Sequence, residues 1–279
     1  MIPCKLAFIG GGNMARSLIG GLIANGMSAD NIHVADKQPD TLNSLTSRYP
    51  VQTFTDNRKA IEGADVIIVA VKPQQLQDVV KQLNPYWQEQ QLLISIAAGI
   101  RIDDISRWLG KSNSSIVRAM PNTPALVEAG ATALFANQYV THQQHELAES
   151  ILRACGLAIW LQDEKHMDAV TALSGSGPAY FFLVMEAMEK AAIELGLPEE
   201  TARLLCLETA FGAAKMALES GESARTLRKQ VTSPGGTTER AIHELEDGGL
   251  PGLFENALVA AALRARELAN ELGQDHHAE

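Results

Sequence analysis

The sequence predicts an α/β chain in which a doubly wound parallel sheet is followed by an all-helical half. Three observations predict it. Short runs, apolar apart from Asp65, such as LAFI at 6–9 and ADVIIVAV at 64–71 suit strands buried on both faces. These runs alternate with amphipathic stretches up to about residue 120, the order that builds a sheet covered by helices on both sides. From residue 163 to the end no strand pattern is present, and alanine-rich runs of helical period take over. The division is placed at 1–162 and 163–279.

The first element is the run Leu6, Ala7, Phe8, Ile9, which stops at Gly10. Met14, Leu18 and Leu22 then recur on one helical row, with Ala15, Ile19 and Ile23 on the next, and Gly26 stands where a helix takes a left-handed cap. Between strand and helix lies Gly10-x-Gly12-x-x-Ala15, the G-x-G-x-x-G/A pattern of dinucleotide sites. Gly10 permits the tight turn. Gly12 leaves the backbone bare for a pyrophosphate. Ala15 lets the helix approach the sheet, and the free amides of the helix start face the phosphates. A second strand, 32–35, ends at Asp36, the position from which an acid reads a ribose 2′-hydroxyl.

A polar helix with Leu42 and Leu45 follows, then a short strand at 51–54 and the strongest strand of the chain, 64–71. Lys72-Pro73 ends that strand, and Pro73 suits the first position of the next helix. A buried run at 92–98 closes at Gly99. A helix at 102–109, a strand at 115–119, and two weaker strands at 131–135 and 158–161 flanking a helix at 144–155 complete the first half. The helices of the second half are read at 179–195, 198–219, 234–245 and 250–272. Their apolar residues, such as Phe182, Met185, Met188 and Ile193, are too extensive for a small bundle alone and call for a partner subunit or for the first domain.

Composition sets bounds. The chain has 279 residues, 46% hydrophobic and 20% charged, with a net charge of −10, which suits a globular chain with a sizeable core and no nucleic-acid surface. Cys4, Cys155 and Cys206 show no metal spacing and are read as reduced thiols, with no metal site expected. The two histidines of the polar tail at 274–279 do not make one alone. No run reaches the roughly 18 apolar residues of a membrane span, and the first apolar run is too short for a signal segment, so a cytoplasmic protein is expected.

Several short blocks carry candidate chemistry. Met120-Pro121-Asn122-Thr123-Pro124 is a rigid turn at a strand end, in which Asn122 offers donor and acceptors or forms an ordinary Asx turn. In SPGGTT at 233–238, Ser233 reads as a helix cap, Pro234 as the first helical residue, and Gly235 and Gly236 as bare amides. Such a tip holds a carboxylate, or is simply a capped helix start. Glu164 reads locally as a first-turn acid. Lys72 is either a proton donor or a cation near phosphates, and the second is preferred.

In order, the chain displays IGGGNMA, AVKP, SIAAG, RAMPNTP, SGSGPAY and SPGGTT. This series resembles the pyrroline-5-carboxylate reductase family over nearly the whole length, from about Lys5 to Leu268, and the last three blocks are the selective ones. The resemblance implies a Rossmann-type domain followed by a helical substrate-binding domain that interlocks two subunits, with larger assemblies of dimers in some members. It implies reduction of a cyclic imine, 1-pyrroline-5-carboxylate, to L-proline by hydride from NADPH or NADH, the last step of proline synthesis. By the same resemblance Gly10, Gly12, Asn13, Met14, Ala15, Asp36, Lys37, Asn57, Ala70, Val71, Lys72, Pro73, Ile96 and Ala98 are cofactor contacts. Gly236, Thr237 and Thr238 hold the substrate carboxylate, with Glu164, Asn122 and Ser176 as walls. Thr238, near the imine nitrogen, and Ser233 are the catalytic candidates; Gln230 and Glu222 are weaker ones. Asp36 departs from the Ser, Thr or Arg common there in the family, which leaves the cofactor preference open between an acid that favours NADH and a neighbouring Lys37 that favours NADPH. Three other readings remain: a β-hydroxyacid dehydrogenase, for which Lys165 and Lys190 are the available lysines, another imine reductase, or a non-catalytic NAD(P)H-binding sensor.

Overall fold

The structure, a computed structural model, describes residues 4–274. The histidines of the polar tail lie outside the described residues. The chain divides into two compact units, 1–176 together with 261–279, and 177–260.

The first unit alternates strand and helix. Its elements are β1 (Leu6–Ile9), α1 (Asn13–Ala24), β2 (Ile32–Ala35), α2 (Pro39–Thr46), β3 (Gln52–Phe54), α3 (Asn57–Ile61), β4 (Val66–Val69), α4 (Pro73–Leu83), β5 (Leu92–Ser95) and α5 (Ile102–Leu109). Then come β6 (Ser115–Met120), β7 (Gly130–Ala136), α6 (His142–Arg153), β8 (Gly156–Trp160) and α7 (Met167–Val170). A π-helical turn, Thr171–Gly175, continues α7. The eight strands form one sheet in the order β3-β2-β1-β4-β5-β6-β7-β8. All pairings are parallel except β6 with β7, where Val117 faces Ala136 and Met120 faces Ala133. The reversal follows from the short segment that joins them: a parallel return needs a crossover of a dozen or more residues, and an antiparallel one does not.

The strands divide their side chains between two cores, as the two-residue period of a strand requires. Leu6, Phe8, Val34, Ile68 and Ile94 pack with Ala15, Leu18 and Ile19 of α1 and Ile151 of α6. Ala7, Ile9, Ile67, Val69 and Leu93 pack with Leu76 and Val80 of α4 and Ile105 of α5. Thus β1, β2, β4 and β5 are buried along their whole lengths, which is why they read as apolar runs, with only His33 in β2 and Ser95 at the end of β5 polar. Pro73 is the first residue of α4 and Gly26 takes φ +87°, as expected. At Gly21 a side chain has no room: a Cβ would stand 2.2 Å from the carbonyl oxygen of Ala154, so α1 and the end of α6 meet backbone to backbone.

Two expectations change here. The strand read at 92–98 ends at Ser95, because the chain turns off the sheet towards Gly99 at φ +75°. α3 was not foreseen, since so short a helix shows no repeat; the side chain of Asp56 caps it by accepting the Arg58 N–H.

The second unit contains α8 (Gly177–Glu194), α9 (Glu199–Glu219), α10 (Ala224–Gln230), α11 (Thr237–Asp247) and the first part of α12 (Leu250–Leu272). No strand follows β8 among the described residues. Gly196, at φ +100°, follows α8 as its left-handed stop, and Pro198 is the cap of α9, one place earlier than expected. Within this unit the Cys206 thiol reaches the Met185 carbonyl at 3.6 Å, tying α9 to α8. Little is buried: only Gly177 in α8, and Ala202 and Cys206 in α9. Phe182 and Phe211 are each 63% exposed. No helix among the described residues is long and apolar enough to cross a membrane.

Candidate active site

The cofactor side of the site begins where β1 leaves the sheet. Gly10 has φ +102°, and a Cβ there would come within 2.6 Å of the Ala70 carbonyl oxygen, so the turn and the end of β4 are in backbone contact. Gly12 caps α1 without a side chain, and a Cβ at Gly12 would meet nothing within 4 Å. That open space, next to the unpaired first amides of α1, fits a pyrophosphate. Asp36 stands against the same loop. Its Oδ2 accepts the Gly11 N–H at 2.8 Å and its Oδ1 accepts the Gln38 N–H at 2.9 Å.

These elements enclose a cleft of about 370 Å³. Of the predicted cofactor contacts, Gly10, Gly12, Asp36, Lys37, Asn57, Ala70, Val71 and Lys72 line it together. The others serve from its edges. Ala15 is fully buried and lets α1 lie on the sheet. Asn13 and Met14 form the first turn of α1, Pro73 starts α4, and Ile96 and Ala98 are half-buried beyond the end of β5. The residues present therefore fit a dinucleotide. Sequence reading missed Arg16, whose Nε donates to the Gly11 carbonyl at 3.1 Å and whose Nη2 lies 3.5 Å from the Thr41 carbonyl. An arginine within the motif helix carries no local sign that it will fold back on the loop.

A second cluster gathers around the end of β6. Asn122 is occupied at both ends of its amide: Nδ2 donates to the Ser174 carbonyl at 3.1 Å, and Oδ1 accepts the Ala131 N–H at 2.8 Å. It is a brace between β7 and the π-helical turn, in place of the Asx turn considered above. Ser176 closes that turn, its N–H reaching the Thr171 carbonyl at 2.9 Å. Glu164 does more than favour a helix start. Its Oε1 accepts from the Ile102 N–H at 3.0 Å and from Arg118 Nη1 at 2.9 Å. The Arg118 side chain is 5% exposed, so this ion pair satisfies a charge inside the first unit. Arg118 was not predicted; it sits in an otherwise apolar strand, and an arginine there is the one available sign of a buried partner.

The third part is the loop before α11 in the second unit. Gly236, not Ser233, caps the helix, and α11 begins at Thr237, not at Pro234. The reason is a turn: the Gly236 N–H bonds the Ser233 carbonyl at 3.0 Å, with Pro234 second and Gly235 third at φ +72°, the residue pattern of a type II turn. The missed residue is Glu239, at the third helical position, whose Oε2 accepts the Gly235 N–H at 2.7 Å. The bond goes to the residue before the cap, so it is not a capping box. With the Gly235 N–H held by Glu239 and the Gly236 N–H by Ser233, neither glycine leaves the bare amide expected of it. Thr237 and Thr238 occupy the first two positions of the helix and are exposed.

Other reactive groups have different surroundings. Cys4, Cys155 and Cys206 are free and buried. Burial raises the Cys4 and Cys155 thiols to about 11, which removes them as thiolates at neutral pH. No group of three metal-ligating side chains is present among the described residues. Lys165 pairs loosely with Asp163 at 3.7 Å and is 89% exposed.

Residues 164–268 match the family model described as pyrroline-5-carboxylate reductase dimerisation. Residues 5–99 match the one described as NADP oxidoreductase, coenzyme F420-dependent. The chain is 48% identical to a pyrroline-5-carboxylate reductase of Pseudomonas aeruginosa over 97% of its own length and 98% of that protein's. Among solved structures it is similar to a pyrroline-5-carboxylate reductase from Coxiella burnetii, with a TM-score of 0.92, 52% identity, and coverage of 95% of this chain and 98% of that one. It is also similar to the Plasmodium falciparum pyrroline carboxylate reductase solved with NADP bound, with a TM-score of 0.84, 30% identity, and coverage of 96% and 99%.

Proposed function

The chain belongs to the pyrroline-5-carboxylate reductase family, and we propose from that premise how its own residues carry out the family reaction. It reduces 1-pyrroline-5-carboxylate to L-proline with NAD(P)H. The observation that carries this reading is the pairing, in one chain, of a glycine-turn cleft that fits a dinucleotide with a helix tip at Thr237 and Thr238 that no side chain caps and that suits a small carboxylate. Near full-length similarity to the Pseudomonas enzyme supports it.

A bound NAD(P)H supplies the hydride that reduces the C=N bond. The chain's task is to hold the imine in line with that donor, and positioning provides most of the acceleration. The amides of Thr237 and Thr238 bind the substrate carboxylate, and Gly236, whose own N–H is held by the Ser233 carbonyl, contributes by having no side chain. The Thr238 hydroxyl hydrogen-bonds the ring nitrogen, favouring its protonated, more electrophilic form. Ser233 acts indirectly: its carbonyl accepts the Gly236 N–H and closes the turn that sets the start of α11. Asn122 and Glu164 act as walls through what they hold, since Asn122 braces the π-helical turn that carries Ser176 and Glu164 fixes the start of α5. Lys72 is a cation for the cofactor phosphates.

The division at 162/163 into a dinucleotide-binding domain and a substrate-binding, dimer-forming domain is supported by the family match that starts at 164. The exposed apolar helices support a homodimer through the second domain. The chain acts in the cytoplasm; the absence of a spanning helix among the described residues agrees with that site of action.

The test is cofactor oxidation with pyrroline-5-carboxylate, against a 3-hydroxy acid and a no-substrate control. Turnover is expected with the imine alone. Turnover with the hydroxy acid, or cofactor binding with no turnover, refutes the reading. Thr238→Ala should lower kcat by about 10²-fold, in the range of a lost general acid–base contribution, with cofactor affinity unchanged. An unaltered kcat removes Thr238 from the mechanism.

A further inference from the structure

We propose that Asp36 is the specificity-determining residue for the cofactor and makes this enzyme prefer NADH over NADPH. The inference rests on the reading of the glycine-turn cleft as the dinucleotide site and goes beyond it by fixing which dinucleotide. Asp36 ends β2 and lines the cleft, at the position from which this fold reads the adenosine ribose. An acid there is what this fold uses to read a ribose, and the way this one is held strengthens that role. Both carboxylate oxygens are already anchored on main-chain amides, Oδ2 on Gly11 and Oδ1 on Gln38.

Two consequences follow from that anchoring. Each anchored oxygen keeps a free lone pair, so a ribose 2′-hydroxyl can donate to it without any rearrangement of the side chain. A 2′-phosphate brings negative charge to the same place, and the carboxylate cannot swing aside without leaving two main-chain donors unpaired. The loop itself is close: a Cβ at Gly11 would stand 3.6 Å from Oδ2 and 3.0 Å from Thr41 Cγ2. The basic neighbour Lys37 has no such fixation; it is an exposed, flexible side chain on the rim. A fixed anion and a mobile cation are not equal competitors for the same phosphate.

Binding of NADH and NADPH is measured on the purified full-length protein by reduced-nicotinamide fluorescence, with no imine present. The unaltered protein should bind NADH at least about tenfold more tightly than NADPH. Asp36→Asn keeps an acceptor for Gly11 while removing the charge, so it should bring the ratio down by about tenfold, mainly through tighter NADPH. Lys37→Ala should leave the ratio within about twofold, and the ratio of kcat/KM values should follow the binding ratio. Equal or tighter NADPH binding by the unaltered protein overturns the proposal whatever the variants do. So does an unchanged ratio in Asp36→Asn, an equal loss of both cofactors in that variant, or a collapse of NADPH binding in Lys37→Ala. Because binding is read without substrate, failure here leaves the imine reaction standing, and failure of turnover leaves this result standing.

Discussion

The sheet unit and the helical unit use the same apolar side chains to opposite effect. In the sheet, Leu6, Phe8, Ile67 and Ile68 have no exposed surface at all. In α8, Phe181, Phe182 and Leu183 are exposed to 67%, 63% and 66%. At about 25 cal/mol per Å² of apolar surface, leaving such side chains in water forgoes about 1.5–3 kcal/mol each. The sheet unit completes its core within one chain. The helical unit does not, and the contrast teaches that its apolar face suits the homo-oligomer that its family match indicates.

The sharpest way to break that contrast is a charge in the exposed face. Phe182→Glu should convert the dimer into a 30.0 kDa monomer by light scattering and remove imine turnover, because an unpaired buried carboxylate costs several kcal/mol. Cofactor binding by the sheet unit should survive. A dimer of unchanged mass would show that the partner covers some other surface. On the sheet side, Ile68→Ala opens a cavity in a fully buried strand and should cost about 2–5 kcal/mol, read from urea denaturation at fixed protein concentration. A loss below about 1 kcal/mol would mean that the sheet core is looser than its burial indicates.

The smallest effect concerns a polar group inside the sheet. His33 is 5% exposed, with Nδ1 3.0 Å from the Ala60 carbonyl. Burial holds its pKa below the ordinary value, although the bond to Ala60 opposes this. The unfolded chain therefore takes up a proton at a pH where the folded chain does not. The resulting stability is present above about pH 6.5 and declines as the pH falls from there through the lowered folded value. His33→Gln should flatten the slope of stability against pH in that window; an unchanged slope would assign it to another group.

How legible each part was follows from the range of the interactions that make it. The run from Leu6 to Gly26, the end of β2 at Asp36 and the start of α4 at Pro73 are local, so period, glycine and proline were sufficient to read them. α3 and α10 are too short to show a period. The antiparallel β7 is a matter of which strand lies beside which, and nothing in its own residues states that. Ser233 reads as a cap by its type, but the φ of Gly235 turns the chain before the helix can start there. The partners of Glu164, Asn122 and Arg16 were out of reach for a different reason. Arg118 lies 46 residues from Glu164 and Ser174 lies 52 from Asn122, distances over which no repeat or spacing survives. The resemblance supplied Glu164 and Asn122 as walls of the site, though not what they hold, and it did not supply Arg16.

The backbone contact between Gly21 and Ala154 has a mechanical consequence. α1 is also buried along its length at Ala15, Leu18, Ile19 and Leu22, so with its tail pinned as well the rod has no pivot about which its head could swing. α1 is pressed at one end against α6, while its other end presents the amides that face the cleft. Their aim is thus set before any nucleotide arrives, and little freedom is left to be surrendered on docking.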